Sequence, residues 1–237
     1  RQRQMCIRDS HNTFDCNMKL YVFILHILLP PFYYISTTLE RTLQKGAVCV
    51  FQIIQKLYII VTEVNKMIDF KEEVLKHKDE MLKDLKDLCL IPSTLDESTA
   101  KENQPFGENN RKALDLMLSI GQRDGFVTDD CDGYAGSIDI GEGEDCFGIL
   151  GHLDVVPTEG QEWDYPEYDM TLDGDTLYGR GVADDKGPLI AAYYAAKIVN
   201  ELDFEKKMKV RIIFGCNEEN GSRCMHCLLY TSPSTRD

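Results

Sequence analysis

The sequence predicts an α/β fold, a mixed sheet covered by helices, and three observations carry that expectation. Short β-rich runs separated by Gly-containing turns give way at residues 188–202 to a wide apolar face at helical spacing, and a further β-rich run follows at 210–214. Two charged segments with helical periodicity precede those strands. Metal-type ligands gather at the turns where the strands end, where open α/β sheets place their sites.

Taken in order, residues 69–90 read as one helix, with Val74, Leu75, Met81, Leu82, Leu85 and Leu88 near a 3.6 period among Lys, Asp and Glu. Pro92 ends it by disfavouring helical backbone at the residue before. Residues 96–110, with Pro105 and Gly107, read as a surface loop, and Ala113, Leu114, Leu116, Met117 and Ile120 mark a second helix that ends between 121 and 125. The period then changes. Residues 126–129, 134–140 and 146–151 are strand candidates punctuated by Asp-Gly and Gly-Glu-Gly. Residues 170–178, with Asp173-Gly174 at their centre, suggest a hairpin. There are no internal repeats or low-complexity tracts.

The chemistry concentrates between residues 147 and 221. FGILGHLDVVP carries His152 and Asp154 just past a buried apolar run, and two residues apart in extended chain they point to one side. DTLYGRGVADDKG delivers Asp184 and Asp185 ahead of a helix, and a carboxylate there can bridge two cations. The loop after 210–214 carries Glu218 and Glu219; adjacent side chains face apart, so one can bind metal while the other takes a proton from water. Each motif has a plainer reading. A single His in a GHxD turn is more often a satisfied polar residue than a ligand, acidic pairs are commonly solvated turns, and carboxylates before a helix complement its dipole. That last role is assigned to Asp185 as nearly its whole function. Trp163 and Pro166 read as walls of the intervening loop or as ordinary surface packing.

GHLDVVP, GRGVADDKGP and the NEEN segment, in this order, resemble the N-terminal motifs of the di-zinc aminoacylase and carboxypeptidase-like metallopeptidases, within them the bacterial dipeptidase V branch. The resemblance covers residues 67 to about 225. It implies a zinc-peptidase-like catalytic domain and a zinc-dependent dipeptidase. His152 would bind one zinc, Asp184 bridge both, Glu219 bind the second, Glu218 act as general base and Asp154 support the site. Zinc is the expected metal, manganese the alternative. The family completes its site with an acidic ligand and a histidine from a C-terminal half, beyond an inserted lid domain. Those parts are absent here, so weak metal binding and no useful activity are expected of the chain as given. A desuccinylase or deacetylase would share these motifs, and a non-catalytic metal- or peptide-binding fragment is the reading from a different class.

The ends read differently. RQRQMCIRDS resembles a translated transposase adapter, and CLLYTSPSTRD the same end in the opposite orientation, with Thr235 as a departure. The apolar run at residues 20–30 stops at Pro30-Pro31, short of the ~20 residues a membrane span needs, and no clear cleavage site follows. Residues 62–67 read as a ribosome-binding site ahead of a start codon. Residues 1–66 and 226–237 are therefore expected to be non-native, and 67–225 to be the N-terminal part of a catalytic domain. The net charge of −14 argues against nucleic-acid binding through phosphates. Cys89, Cys131, Cys146, Cys216 and Cys224 form no even framework, which points to a reducing cytoplasm. Short peptides are the expected partners, without nucleic acid or membrane; the oligomeric state is open.

Overall fold

A computed structural model describes residues 69–203, 206 and 208–225. The expectations for residues 1–66 and 226–237 lie outside these described residues. Helix α1 (Phe70–Lys76) starts at Asp69, whose side chain accepts the Glu72 N–H at 3.1 Å. The single helix expected over 69–90 is instead two, α1 and α2 (Lys78–Cys89), broken at His77. His77 donates its N–H to the Val74 carbonyl, a tighter turn than α-helix, while its own carbonyl accepts the Met81 N–H. The break lets Phe70 pack on Ala195 while Leu85, Leu88 and Cys89 enter the main core.

The segment expected as a surface loop contains a short 3₁₀ turn (Glu97–Thr99) and drives Phe106 to full burial. Its ring meets Tyr134 edge-on at 5.4 Å, so an apolar anchor holds this loop down. Helix α3 (Glu108–Arg123) buries Ala113, Leu114, Met117 and Ile120. At Gly121 a Cβ would stand 2.9 Å from Thr128 Cγ2 and 3.0 Å from Ile138, so the missing side chain lets α3 lie close on the sheet.

Strands β1 (Val127–Cys131) and β2 (Ala135–Ile140) form an antiparallel hairpin. Asp132 and Gly133 turn it with φ of 50° and 75°, left-handed backbone that Asp and Gly tolerate, and the Tyr134 N–H donates to the Cys131 carbonyl at 2.9 Å. Strand β3 (Asp145–His152) follows, then a small hairpin of β4 (Thr171–Asp173) and β5 (Thr176–Tyr178), helix α4 (Lys186–Glu201) and strand β6 (Met208–Gly215). The main sheet runs β1-β2-β6-β3, with β6 antiparallel to β2 and parallel to β3. This is the mixed α/β sheet the sequence predicts; a parallel pair needs a long crossover, and α4 lies within it. Among the described residues no helix is long and apolar enough to cross a membrane.

Candidate metal centre

Because β3 and β6 run parallel and in register, His152 lies opposite Gly215, and the loops after both strands leave the sheet side by side. The Leu153 N–H donates to the Gly215 carbonyl at 2.8 Å, extending the pairing one residue past His152. The start of α4 reaches the same end of the sheet. Three segments far apart in sequence thus meet where the strands stop.

At that point His152, Asp184 and Glu219 each present one ligand atom, all within 4.8 Å of one another. His152 Nε2 lies 3.1 Å from Asp184 Oδ1 and 3.9 Å from Glu218 Oε2. Its Nδ1 is 3.0 Å from the Asp154 carbonyl and 3.5 Å from Asp154 Oδ1, which orients the ring with Nε2 outward. His152 is buried, whereas Asp184 and Glu218 are exposed, so the cluster opens to solvent on its acidic side.

Asp154 acts on the backbone as well. Its fully buried carboxylate accepts the Glu218 N–H at 2.9 Å through one oxygen and the Glu219 N–H at 3.0 Å through the other. The loop is closed further by the Ser222 N–H on the Asn217 carbonyl. One buried carboxylate therefore fixes the backbone from which both glutamates project.

The electrostatics are those of a site short of positive charge. The Glu219 carboxyl is pushed up to about 6, first by burial and then by the charge of Asp184. Asp185 is also raised to about 6 by burial. Burial opposes protonation of His152, but the hydrogen bonds to Asp154 and Asp184 outweigh it and carry the imidazole to about 11. The same contact to His152 holds Asp184 below the usual carboxylate range. One imidazole and two carboxylates, crowded with further acidic groups, form a donor set suited to zinc and related divalent ions.

Every residue expected at the site is gathered here: His152, Asp154, Asp184, Glu218 and Glu219. Asp185 requires a correction. It stands at the start of α4 without a side-chain cap bond, and its Oδ2 accepts the His152 backbone N–H at 3.1 Å. Gly151 makes this possible, since a Cβ there would lie 2.7 Å from that oxygen. Nothing in the sequence separates this role from a helix-dipole charge, because Asp185 sits beside Asp184 and before a helix. The Asp184–Asp185 peptide is cis. Trp163 is half-buried beneath the Arg180 guanidinium, 5.1 Å above its ring, whereas Pro166 is exposed.

Fold and donor set together define an α/β domain with a divalent-metal type of ligand cluster at its strand ends. Residues 148–229 match the model of Peptidase family M20/M25/M40. A Staphylococcus epidermidis protein named "Putative dipeptidase" is 46% identical over 155 residues, 65% of this chain and 33% of the relative. A Staphylococcus aureus (strain USA300) protein with the same designation is 44% identical over the same length and coverage. The chain thus spans about a third of the length of the curated relatives it matches. Among solved structures it is similar to human carnosine dipeptidase 1, with a TM-score of 0.55 and 24% identity over 68% of this chain and 36% of that one. It is also similar to the di-peptidase Dug1p of Saccharomyces cerevisiae, with a TM-score of 0.53 and 21% identity over 67% of this chain and 36% of that one. These two likenesses show the fold.

Proposed function

We propose that residues 67–225 form part of the catalytic domain of a zinc-dependent dipeptidase that hydrolyses short peptides in the cytoplasm. The observation that carries this reading is the convergence of His152, Asp184 and Glu219, with Glu218 beside them, at the paired ends of β3 and β6. In the two-ion form of this reading His152 would hold one zinc, Glu219 the other, and Asp184 would serve both; manganese would be the alternative metal. When bound, the metal lowers the pKa of water from 15.7 toward ~7 and polarises the scissile carbonyl.

The chain's own residues supply the rest. Glu218, exposed and free of the backbone clamp that holds its N–H, takes the proton from the attacking water. The water oxygen bonds to the carbonyl carbon, the C–N bond breaks, and Glu218 returns the proton to the leaving amine. Asp154 keeps the His152 ring oriented and the Glu218-Glu219 backbone fixed through the cycle.

The first test is zinc titration of the purified chain beside its His152→Ala and Asp184→Ala variants. Zinc binding lost in both variants supports the centre; equal binding by all three proteins removes it. The peptidase reading is tested on protein extended to the length of the relatives. That protein should hydrolyse unblocked dipeptides and lose the activity to a chelator. Hydrolysis of N-succinyl or N-acetyl amino acids in its place would favour the desuccinylase or deacetylase reading.

A further inference from the structure

The last residues of α2 and the four that follow it touch both segments that carry the candidate ligands. Lys186, the first residue of α4, is fully buried, and its ammonium donates to the Leu88 carbonyl at 2.9 Å and the Ile91 carbonyl at 2.7 Å. Ser93, also fully buried, donates its hydroxyl to the Leu153 carbonyl at 2.6 Å and accepts the Val155 N–H on its own carbonyl at 3.0 Å. Leu153 lies between His152 and Asp154, Val155 follows Asp154, and Lys186 is two residues past Asp184. One stretch of chain therefore ties the His152–Asp154 segment to the Asp184–Asp185 turn through four hydrogen bonds.

We infer that Ser93 and Lys186 are positioning residues of the metal centre, bracing the two ligand-bearing segments against each other through residues 88–93. This inference rests on the metal-centre reading above. Three observations favour it over simple helix capping. Burying an ammonium is costly unless its donors are used, and here two of them reach the Leu88 and Ile91 carbonyls, which already accept the Ile91 and Ser93 N–H, so the lysine is not needed to cap the helix end. The bonds connect segments separated by 98, 95 and 60 residues, so they set long-range geometry rather than local turns. The bracing segment is itself held from behind, since Asn110 donates to the Thr94 carbonyl at 2.9 Å and the Phe106 carbonyl at 3.0 Å. A ligand displaced by a fraction of an ångström disturbs coordination, and losing a partner that orients ligands typically weakens a metal site ~10- to 100-fold.

The test is a titration of the full 237-residue chain with Co²⁺, read by the visible absorption that reports coordination geometry. Ser93→Ala and Lys186→Met are compared with the unaltered chain, with Ser93→Thr as the variant that restores the hydroxyl, and with Leu118→Ala as a core substitution on α3. The expected result is at least about tenfold weaker Co²⁺ binding and an altered spectrum in Ser93→Ala and Lys186→Met. Ser93→Thr should recover both, and Leu118→Ala should lower the urea midpoint while leaving affinity and spectrum unchanged. Should Lys186→Met not fold, the contrast between Ser93→Ala and Ser93→Thr decides. Folded Ser93→Ala and Lys186→Met proteins that bind Co²⁺ as the unaltered chain does would overturn the positioning role and leave the metal centre standing. Absence of Co²⁺ binding by the unaltered chain would overturn both.

Discussion

Asp185 Oδ2 accepts the backbone N–H of His152 at 3.1 Å, joining the start of α4 to the last residue of β3 across 33 positions of sequence. The contact works because Gly151 leaves room for the carboxylate. Gly151→Ala should therefore displace Asp185, and Asp185→Ala should cost about 1.5–3 kcal/mol, the range for a hydrogen bond to a charged group. Asp185→Asn keeps an acceptor oxygen and should cost less. Urea unfolding of the three variants measures the order, and equal midpoints for Asp185→Ala and the unaltered chain would refute it.

Asp154→Asn should do more harm than its isosteric shape suggests. One of two acceptor oxygens becomes an NH₂ group facing either the Glu218 or the Glu219 N–H, and a buried donor left unpaired costs about 2 kcal/mol. The glutamate loop then loses its anchor. Calorimetric zinc titration should show weaker binding together with the lower stability.

Glu218→Gln separates binding from chemistry. In protein of the relatives' length it should keep its metal and lose about 10²- to 10⁴-fold in turnover, the usual contribution of a positioned base. Asp184→Ala should lose the metal itself. Metal content measured beside dipeptide hydrolysis distinguishes the two, and full turnover by Glu218→Gln would exclude the base assignment.

Behind the site, Asp124 joins α3 to α4. Burial alone would raise its carboxyl, but hydrogen bonds from Arg123, Tyr193 and Lys197 outweigh that and hold it well below the usual range. A carboxylate whose folded pKa is depressed contributes stability above its unfolded pKa of about 3.9 and loses it as the pH falls toward the folded value. Asp124→Asn should thus be clearly less stable than the unaltered chain at pH 6, and the gap should narrow below about pH 4. Denaturation midpoints at pH 6 and pH 3 check the sign.

Phe106→Ala should be among the most destabilising single changes, at about 3–4 kcal/mol, because a fully buried ring against Tyr134 would leave a cavity. A loss under about 1 kcal/mol would mean the loop is not anchored there.

The sequence by itself determined the alternation of strands and helices, the turn at Asp132-Gly133, the hairpin around Asp173-Gly174, and the identity of the ligand candidates. These are local signals: an Asp-Gly turn, a period of 2 or 3.6, and chemically marked residues at strand ends. Pairing and burial lie beyond such signals. The break at His77 depends on Phe70 finding Ala195, and Phe106 is buried through contact with Tyr134, neither of which a local pattern records. The same holds at the site. That His152, Asp184 and Glu219 converge follows from the parallel register of β3 and β6 and from the approach of α4 over Gly151. The roles of Asp185, Ser93 and Lys186 are tertiary for the same reason, since each acts through a hydrogen bond to backbone 33 or more residues away, where side-chain type alone cannot name the partner.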